Sequence, residues 1–305
     1  MMIPGKLIAV ANMKGGVGKT TTVVSLAEAL AADDPDASIL VVDLDPQASA
    51  SICLAGDDLL FEMIEANKTI EAFLDERLIK RARTILISKI RKAICGTTHA
   101  GNQLNISLLP CGPKLRFVER EIVYSLPERG SSMTAIEGKM RKLLETDFLP
   151  LSKEYDYVIF DCPPGISLLS EAAIRASDLV IVPTIPDFIS AYGLAAFVDF
   201  FWEKKAFGPT PKRLPHVLIT RFLRTVRQHN YYVEHLEEVA AKRIVPEIRL
   251  FKTKVQQAAA LAEALFNDEE SPFGQRYPTF RMKYGAVTSV LDQLVQEVRG
   301  VLNGN

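Results

Sequence analysis

Two lysines five positions apart, Lys14 and Lys19, enclose a glycine-rich segment near the start of the chain. The segment reads Lys-Gly-Gly-Val-Gly-Lys-Thr-Thr over residues 14–21 and follows the apolar run Leu7–Ala11. Glycines allow backbone N–H groups to close around phosphate oxygens, and a helix that begins there presents its positive end to the same anion. Lys19 would supply a fixed cation, and the Thr20 hydroxyl would be a ligand for Mg²⁺. The pattern predicts a strand, a phosphate loop and a helix.

The loop departs from the common G-x-x-x-x-G-K-[ST] pattern at its entrance. Met13 stands at the first glycine position, and Lys14 follows it directly. An extended ammonium at this position need not contact its own nucleotide, because it can reach a phosphate bound by a second copy of the chain. The departure therefore suggests different tasks for the two lysines.

Two carboxylates, Asp43 and Asp45, come one residue apart at the end of an apolar run and are followed by Pro46. In a strand this spacing puts both side chains on one face, which at the carboxyl end can look toward a terminal phosphate and its metal. One of them could orient an attacking water, since phosphoryl transfer requires positioning more than covalent chemistry. Taken alone, the pair fits equally well as caps of the next helix or turn.

A third aspartate, Asp161, ends the largely apolar run 157–160 and is followed by Pro-Pro-Gly. An aspartate at a strand tip that comes after a phosphate loop is typical of the residue that holds Mg²⁺ through water. The run would be a weak signal alone, and its order in the chain strengthens it. The Pro-Pro-Gly turn places backbone where it could respond to a terminal phosphate.

Composition is that of a globular chain without disulfides. The 305 residues are 48% hydrophobic with a net charge of −1, and four scattered cysteines include no C-x-x-C pair. No apolar stretch approaches the roughly 18 residues of a membrane span, and the N-terminus lacks the layout of a signal peptide. These features predict a soluble, cytoplasmic protein with reduced thiols.

Apolar, β-rich runs alternate with segments of helical period. The runs are Leu7–Ala11, Ile39–Asp43, Ile106–Pro110, Tyr157–Asp161, Leu179–Pro183 and His216–Thr220. Such alternation predicts an α/β fold in which a mainly parallel twisted sheet carries helices on both faces. Sheets of this kind hold ligands at the carboxyl ends of their strands, so we expect the site to be assembled there.

The rest of the chain predicts additions to this sheet and no second domain. Residues 56–105 are typical of a helical insertion, with a loop at 95–102, and no linker or internal repeat divides residues 1–305. The tail from Tyr284 to Leu302 predicts a final amphipathic helix. Its polar face carries Asp292 and Glu297 beside Arg299, which favours packing on the core over a membrane surface.

Residues 14–21, 43–47 and 161–165 resemble the deviant Walker A, A′ and B motifs of the ParA/MinD superfamily of P-loop NTPases. Later segments resemble its ParA/Soj branch in the expected order: 182–184, 186–187, 193–194, 218–222, 244–246 and Ile248. The resemblance covers nearly the whole chain outside residues 56–105. The phosphate-loop match is highly specific, and the later matches are moderately so.

The resemblance implies an ATPase that converts ATP to ADP and phosphate with Mg²⁺ and forms an ATP-dependent homodimer. In that family the ATP-bound dimer binds DNA without sequence preference, and a ParB-like protein or cargo adaptor stimulates hydrolysis. The implied function is to segregate or position a cargo on the nucleoid, whether a plasmid, a chromosome or a protein assembly. No stable membrane association is expected.

Roles carry over residue by residue from the same resemblance. Lys14 would reach the partner's ATP, Thr21 would contact the α-phosphate, and Asp45 would orient the water. Pro246 and the backbone of Ile248 would line the adenine pocket. The nucleotide would be bound by Lys14, Gly15, Gly16, Val17, Gly18, Lys19, Thr20, Thr21, Pro246 and Ile248, the metal by Thr20 and Asp161, and the catalytic set would be Lys14, Lys19 and Asp45.

A DNA surface is less clearly marked. Family members often carry a basic residue after the proline of the adenine loop, and this chain has Glu247 there. Contacts between basic side chains and DNA phosphates contribute to affinity without a strict geometry, so other basic residues could take the place of the one missing at Glu247. The candidates are Arg221, Arg224, Arg227, Arg243, Arg249, Lys252 and Lys254. A solvated helix surface explains the same residues, and a second basic stretch lies at 77–92.

Two other functions share these motifs. One is a MinD-like, membrane-associated positioning ATPase, against which the weakly basic tail counts. The other is a metabolic or metallocluster enzyme on the same scaffold, such as an amidoligase, an iron–sulfur carrier or a reductase. The absence of paired cysteine ligands in the sequence weakens the hypothesis of an iron–sulfur protein. Metal analysis would test whether Cys111 and Cys162 bind a cluster.

Overall fold

The computed structural model describes residues 5–128, 138–139, 142–203, 211–242, 247–263 and 279–304. Its centre is a seven-stranded parallel sheet in the order β5-β2-β6-β1-β7-β8-β9. The strands of the protein are β1 (Lys6–Val10), β2 (Ile39–Asp43), β3 (Thr98–His99), β4 (Asn102–Gln103), β5 (Ile106–Leu109), β6 (Tyr157–Asp161), β7 (Leu179–Thr184), β8 (His216–Phe222) and β9 (Arg249–Gln256). Strands β3 and β4 form a separate antiparallel pair.

Helices connect and cover these strands. They are α1 (Lys19–Asp33), α2 (Ser49–Glu65), α3 (Ile70–Leu74), α4 (Leu115–Glu128), α5 (Leu168–Ala176), α6 (Phe188–Val198), α7 (Arg227–Lys242), α8 (Ala259–Glu263), α9 (Phe280–Tyr284) and α10 (Thr288–Asn303). Short π-helical turns occur at Asp75–Ile79, Leu144–Phe148 and Asp199–Glu203, and 3₁₀ turns at Leu86–Lys89, Leu149–Lys153 and Gly285–Val287.

Successive residues of each central strand pack into two separate hydrophobic layers, because side chains alternate between the faces of a sheet. In β1, Leu7 packs with α5 and α6 on one face, and Ile8 packs with α1 and α10 on the other. All five residues of β2 are buried, as expected for a parallel strand covered on both faces. The predicted fold class, a parallel α/β sheet with helices on both faces, is confirmed.

The insertion differs from the sequence prediction. Helices α2 and α3 and two short turns account for much of residues 56–89, and α2 is kinked at Gly56, whose φ of 72° is not helical. The stretch 95–102, predicted as a loop, instead contributes to the β3–β4 hairpin. Ala100 and Gly101 both have positive φ at its turn, as a tight hairpin requires.

Strand β9 was not predicted from the sequence. Lys252 and Lys254 alternate with the buried residues Phe251, Thr253 and Val255, so the segment reads as a basic stretch rather than a strand. The final helix was predicted, and its apolar residues Leu291, Leu294, Val295 and Val298 are buried in the layer that contains α1. None of the described helices is both long and apolar enough to cross a membrane.

Candidate functional site

The phosphate loop connects β1 to α1 at the carboxyl edge of the sheet. Gly16 and Gly18 have φ values of 73° and 88°, a left-handed conformation that side chains other than glycine rarely adopt. Gly18 is the residue before α1, and no side chain caps the first turn of that helix. The free N–H groups of the first turn are therefore left for an anion.

Lys19 lies beneath this loop and is 6% exposed. Its Nζ donates a hydrogen bond to the backbone carbonyl of Lys14 at 3.1 Å, which ties the entrance of the loop to its end. Burial lowers the pKa of Lys19, against the charges of Asp161 and Asp45, which raise it. A cation held in place and partly desolvated is suited to bind phosphate.

Thr20 and Asp161 meet between α1 and the end of β6. The Thr20 hydroxyl donates to Asp161 Oδ2 at 2.8 Å, while Asp161 Oδ1 is buried with no hydrogen-bond partner. Burial, followed by the charge of Asp43, raises the pKa of Asp161 well above the usual value for an aspartate. A buried oxygen without a donor, beside a hydroxyl, fits a cation such as Mg²⁺.

Asp43 and Asp45 have different surroundings, although sequence spacing suggested a shared face. Strand β2 ends at Asp43, and Asp45 lies in the turn that follows. Asp43 accepts hydrogen bonds from the backbone of Asp45 and from the backbone and hydroxyl of Ser51. It holds the turn and the start of α2, as the capping alternative described. Only Asp45 lines the cleft.

The side chain of Lys14 extends from the phosphate loop to the start of α6. Its Nζ lies 3.1 Å from Asp187 Oδ2 and 2.8 Å from Ser190 Oγ, at the start of α6 in the same chain. Burial alone would raise the pKa of Asp187, but hydrogen bonds from Ser190 and Lys14 outweigh it and lower the pKa. The lysine is 30% exposed, so it sits at the rim of the site.

A cleft of about 790 Å³ opens beside the phosphate loop. Its walls comprise the loop, the turn with Asp45, the end of β8, the segment after β9, and two leucines of α10. The lining residues after β9 are Gln257, Ala258, Ala259, Leu261 and Ala262. Four of these five residues are apolar, so the segment gives the cleft an apolar wall in addition to the glycine loop.

The structure separates Ile248 from this cleft. Strand β9 is parallel to β8, with Arg249 opposite His216, so Ile248 lies at the amino edge of the sheet. It is 1% exposed and packs in the layer away from α1. Eight residues of strand, roughly 26 Å, separate it from the carboxyl edge. The prediction that Ile248 lines the adenine pocket is not supported, and Pro246 lies outside the described residues.

The basic residues predicted to bind DNA do not share one face. Arg224 and Arg227 are exposed near the carboxyl end of β8, whereas Arg249 lies at the amino edge beside Glu247. Lys252 is exposed on β9, Lys254 pairs with Glu237 of α7 at 2.8 Å, and Arg221 lines the cleft. Arg243 lies outside the described residues. The basic stretch 77–92 lies by β5, at the opposite edge of the sheet, where Arg91 pairs with Leu108.

A glycine loop, a buried lysine and a strand-tip aspartate beside a threonine hydroxyl define a P-loop protein of the α/β class. Residues 5–206 match the sequence family described as an AAA domain, AAA_31. The chain belongs to this family and, within it, to the ParA/MinD-type P-loop partition ATPases.

Two relatives support that assignment. The sporulation initiation inhibitor protein Soj of Bacillus subtilis is 30% identical over 261 residues, which cover 85% of this chain and 87% of Soj. The chromosome partitioning protein ParA of Myxococcus xanthus is 31% identical over 220 residues, or 72% of this chain. The matched region spans only 65% of that longer relative.

Two solved structures share the fold. A Cyanothece McdA variant in complex with ATP has a TM-score of 0.63 and 21% identity, with 99% of this chain and 98% of that chain covered. The pNOB8 ParA bound to nonspecific DNA has a TM-score of 0.63 and 20% identity, with 99% and 100% covered.

Proposed function

We propose that this protein hydrolyses ATP and uses the nucleotide to drive its own dimerisation. The dimer binds DNA of arbitrary sequence and segregates or positions a cargo, and a partner protein stimulates hydrolysis. The protein would act in the cytoplasm on the nucleoid.

One observation carries this proposal: the two lysines of a single phosphate loop have different environments. Lys19 is buried under the loop that it supports, whereas Lys14 is held at the rim by Asp187 and Ser190. A rim lysine that is not needed to shape its own loop is available to a nucleotide bound by a second copy. Both lysines would then contribute to each site of a dimer.

The chain's own residues fit the parts that hydrolysis requires. Loop N–H groups and Lys19 hold the phosphates, and Asp45, 7% exposed and lining the cleft, orients the attacking water. Thr20 and Asp161 would hold Mg²⁺, which when bound neutralises charge on the phosphate oxygens. Among the described residues no cluster of three His, Cys, Asp or Glu side chains could hold a metal. Mg²⁺ usually binds through one or two carboxylates, phosphates and water, and the carboxylate of Asp161 beside the Thr20 hydroxyl matches that pattern.

The base would occupy the apolar side of the cleft. We place it against the segment after β9, near Gln257 and Ala258, in place of the Ile248 site predicted from sequence. The backbone N–H and C=O groups of such a segment can form hydrogen bonds with the edge of an adenine, and the small alanine side chains leave room for its ring.

DNA binding is supported by the fold shared with pNOB8 ParA, whose structure holds nonspecific DNA. The exposed Arg224 and Arg227 near the carboxyl edge are our first candidates for phosphate contacts. The membrane-associated alternative is not favoured, because the apolar face of α10 is buried against the core.

The test measures sedimentation and DNA binding of the full chain with and without Mg²⁺-ATP. The wild type should dimerise only with ATP and bind DNA of any sequence in a salt-sensitive manner. Lys14→Ala should bind ATP as a monomer, and Asp45→Ala should form a dimer that stays on DNA. Lys68→Ala, an exposed lysine after α2, is the matched control and should behave as wild type. A Lys14→Ala protein that dimerises and turns over normally would overturn the proposal.

A further inference from the structure

Two consecutive residues of β8 hold two consecutive carbonyls of the phosphate loop. The Thr220 hydroxyl donates to the carbonyl of Val17 at 2.8 Å, and Arg221 Nη1 donates to the carbonyl of Gly16 at 3.0 Å. Neighbouring residues of a regular strand point to opposite faces, so both could not normally reach the same loop.

An irregularity in the sheet makes this possible. Ile219 pairs with Lys254 and Phe222 pairs with Gln256, so β8 has two residues between these pairs where β9 has one. The extra residue is a β-bulge, a feature that redirects side chains and is frequent beside active sites. Arg221 lies in this bulge with a φ of 52°, which costs about 1 kcal/mol or more for a residue other than glycine.

We propose that Arg221 is a positioning residue of the nucleotide site, and that its strained backbone serves this purpose. This inference rests on the proposed nucleotide site and replaces the DNA contact predicted from sequence. In a trans peptide the C=O of one residue and the N–H of the next point in opposite directions. Holding the carbonyls of Gly16 and Val17 toward β8 therefore turns the N–H groups of Val17 and Gly18 to the opposite side.

That opposite side is where the loop would enclose a phosphate. A loop whose N–H groups are already oriented loses less conformational freedom when the anion binds. Arg221 also adds a positive charge at the rim of the cleft that it lines. Its guanidinium has further N–H donors, which are available to a phosphate or ribose oxygen.

The experiment compares Arg221→Met, Arg221→Lys and Arg281→Met. Met removes the guanidinium donors, and Lys restores the charge with a smaller donor group, while Arg, Met and Lys at position 221 all face the same cost of a left-handed backbone. Arg281 is an exposed arginine of α9 that does not line the cleft, so it is the matched control. The readouts are the Kd for a slowly hydrolysed Mg²⁺-ATP analogue, the kcat and KM for ATP, and urea unfolding without nucleotide.

Arg221→Met should weaken analogue binding and raise KM about three- to tenfold with kcat little changed. Arg221→Lys should recover part of the loss, Arg281→Met should match wild type, and the unfolding free energy of all three variants should be unchanged. An unaltered Kd and KM for Arg221→Met would overturn the inference. Loss of unfolding free energy equal to the loss in binding would also overturn it, because the role would then be structural. A wild type that does not bind Mg²⁺-ATP would instead refute the proposed function and remove this inference with it.

Discussion

Lys14 and Asp187 form an ion pair within one chain, with Nζ 3.1 Å from Oδ2. The same carboxylate accepts a hydrogen bond from the backbone N–H of Ser190 and so caps α6. The rim lysine of the phosphate loop is thus attached to the start of a helix, and it must leave that position to reach a second copy of the chain.

Asp187→Asn should favour the dimer. Asparagine caps a helix about as well as aspartate, so α6 keeps its cap while Lys14 loses its ionic partner. Since partly exposed ion pairs contribute about 1 kcal/mol or less, we expect the ATP concentration at half-dimerisation to fall by up to about fivefold. Sedimentation velocity over an ATP titration measures this. A need for more ATP would mean that Asp187 assists the dimer.

Tyr192→Ser should weaken the dimer. Phe188, Ile189 and Tyr192 are 63%, 68% and 74% exposed on the first turns of α6, directly beside the attachment point of Lys14. Exposed aromatic and apolar side chains are typical of interfaces, so removal of one should raise the dimer Kd about tenfold.

The control for Tyr192 is Ile85→Ser. Ile85 is 68% exposed on the insertion beside β5, four strands from β7 and about 19 Å away along the sheet. It should leave the dimer unchanged. Equal effects of the two variants would show that general loss of apolar surface, and not this site, is responsible.

Asp43 should make the nucleotide-free protein less stable as pH rises. Burial raises its pKa to about 6, against hydrogen bonds from Ser51 and Asp45 that lower it. The folded state therefore binds this proton more tightly than the unfolded state, whose pKa is about 3.9. The stabilisation is fully present below about pH 4 and is lost as the pH rises through about 6. The unfolding free energy should fall by on the order of 3 kcal/mol over this range.

Urea unfolding at pH 5.0 and 7.5, without nucleotide or Mg²⁺, measures this effect. Burial lowers the pKa of His216, which gives a contribution of opposite sign, so wild type must be compared with Asp43→Asn. The variant should lose less stability than wild type between the two pH values. An identical change in both proteins would contradict the prediction.

Glu28 should be a large contributor to stability. It is 1% exposed and accepts hydrogen bonds from Thr97 at 2.8 Å, Lys283 at 2.7 Å and the Tyr284 hydroxyl at 2.7 Å. These contacts join α1 to the insertion and to α9. Glu28→Ala leaves the largely buried Lys283 without its partner, and we expect a loss of about 3 to 5 kcal/mol in urea unfolding. Adding Lys283→Met to Glu28→Ala should restore part of the lost unfolding free energy. If the effects of the two substitutions simply add in the double variant, the interaction between Glu28 and Lys283 is not the cause of the loss.

Sequence reasoning predicted the parts of this protein that depend on local pattern. The phosphate loop and strands such as β2 and β6 have apolar runs and glycine spacings with a single structural reading. Strand β9 was missed because its alternating lysines look like a basic surface. Ile248 was misplaced because a motif gives no information on which end of a strand it will occupy.

Arg221 shows a different limit of sequence reasoning. Its direction depends on a bulge that exists only because β8 and β9 pair out of register, and this pairing joins residues more than 30 positions apart. Its hydrogen bond to Gly16 spans 205 positions. A list of nearby basic residues groups Arg221 with Arg224 and Arg227, although only Arg221 contacts the phosphate loop.

The outermost strands of the sheet have consequences for how copies can associate. On β9 the carboxylate of Glu297 accepts the backbone N–H groups of Lys252 and Thr253, and on β5 the backbone of Leu108 is paired with Arg91. Both edge strands therefore have few free backbone groups with which a strand of another molecule could pair. This disfavours extended β-sheets that run through many molecules. In the proposed dimer, self-association would instead use the end of the molecule that carries the phosphate loop, where it would close after two copies.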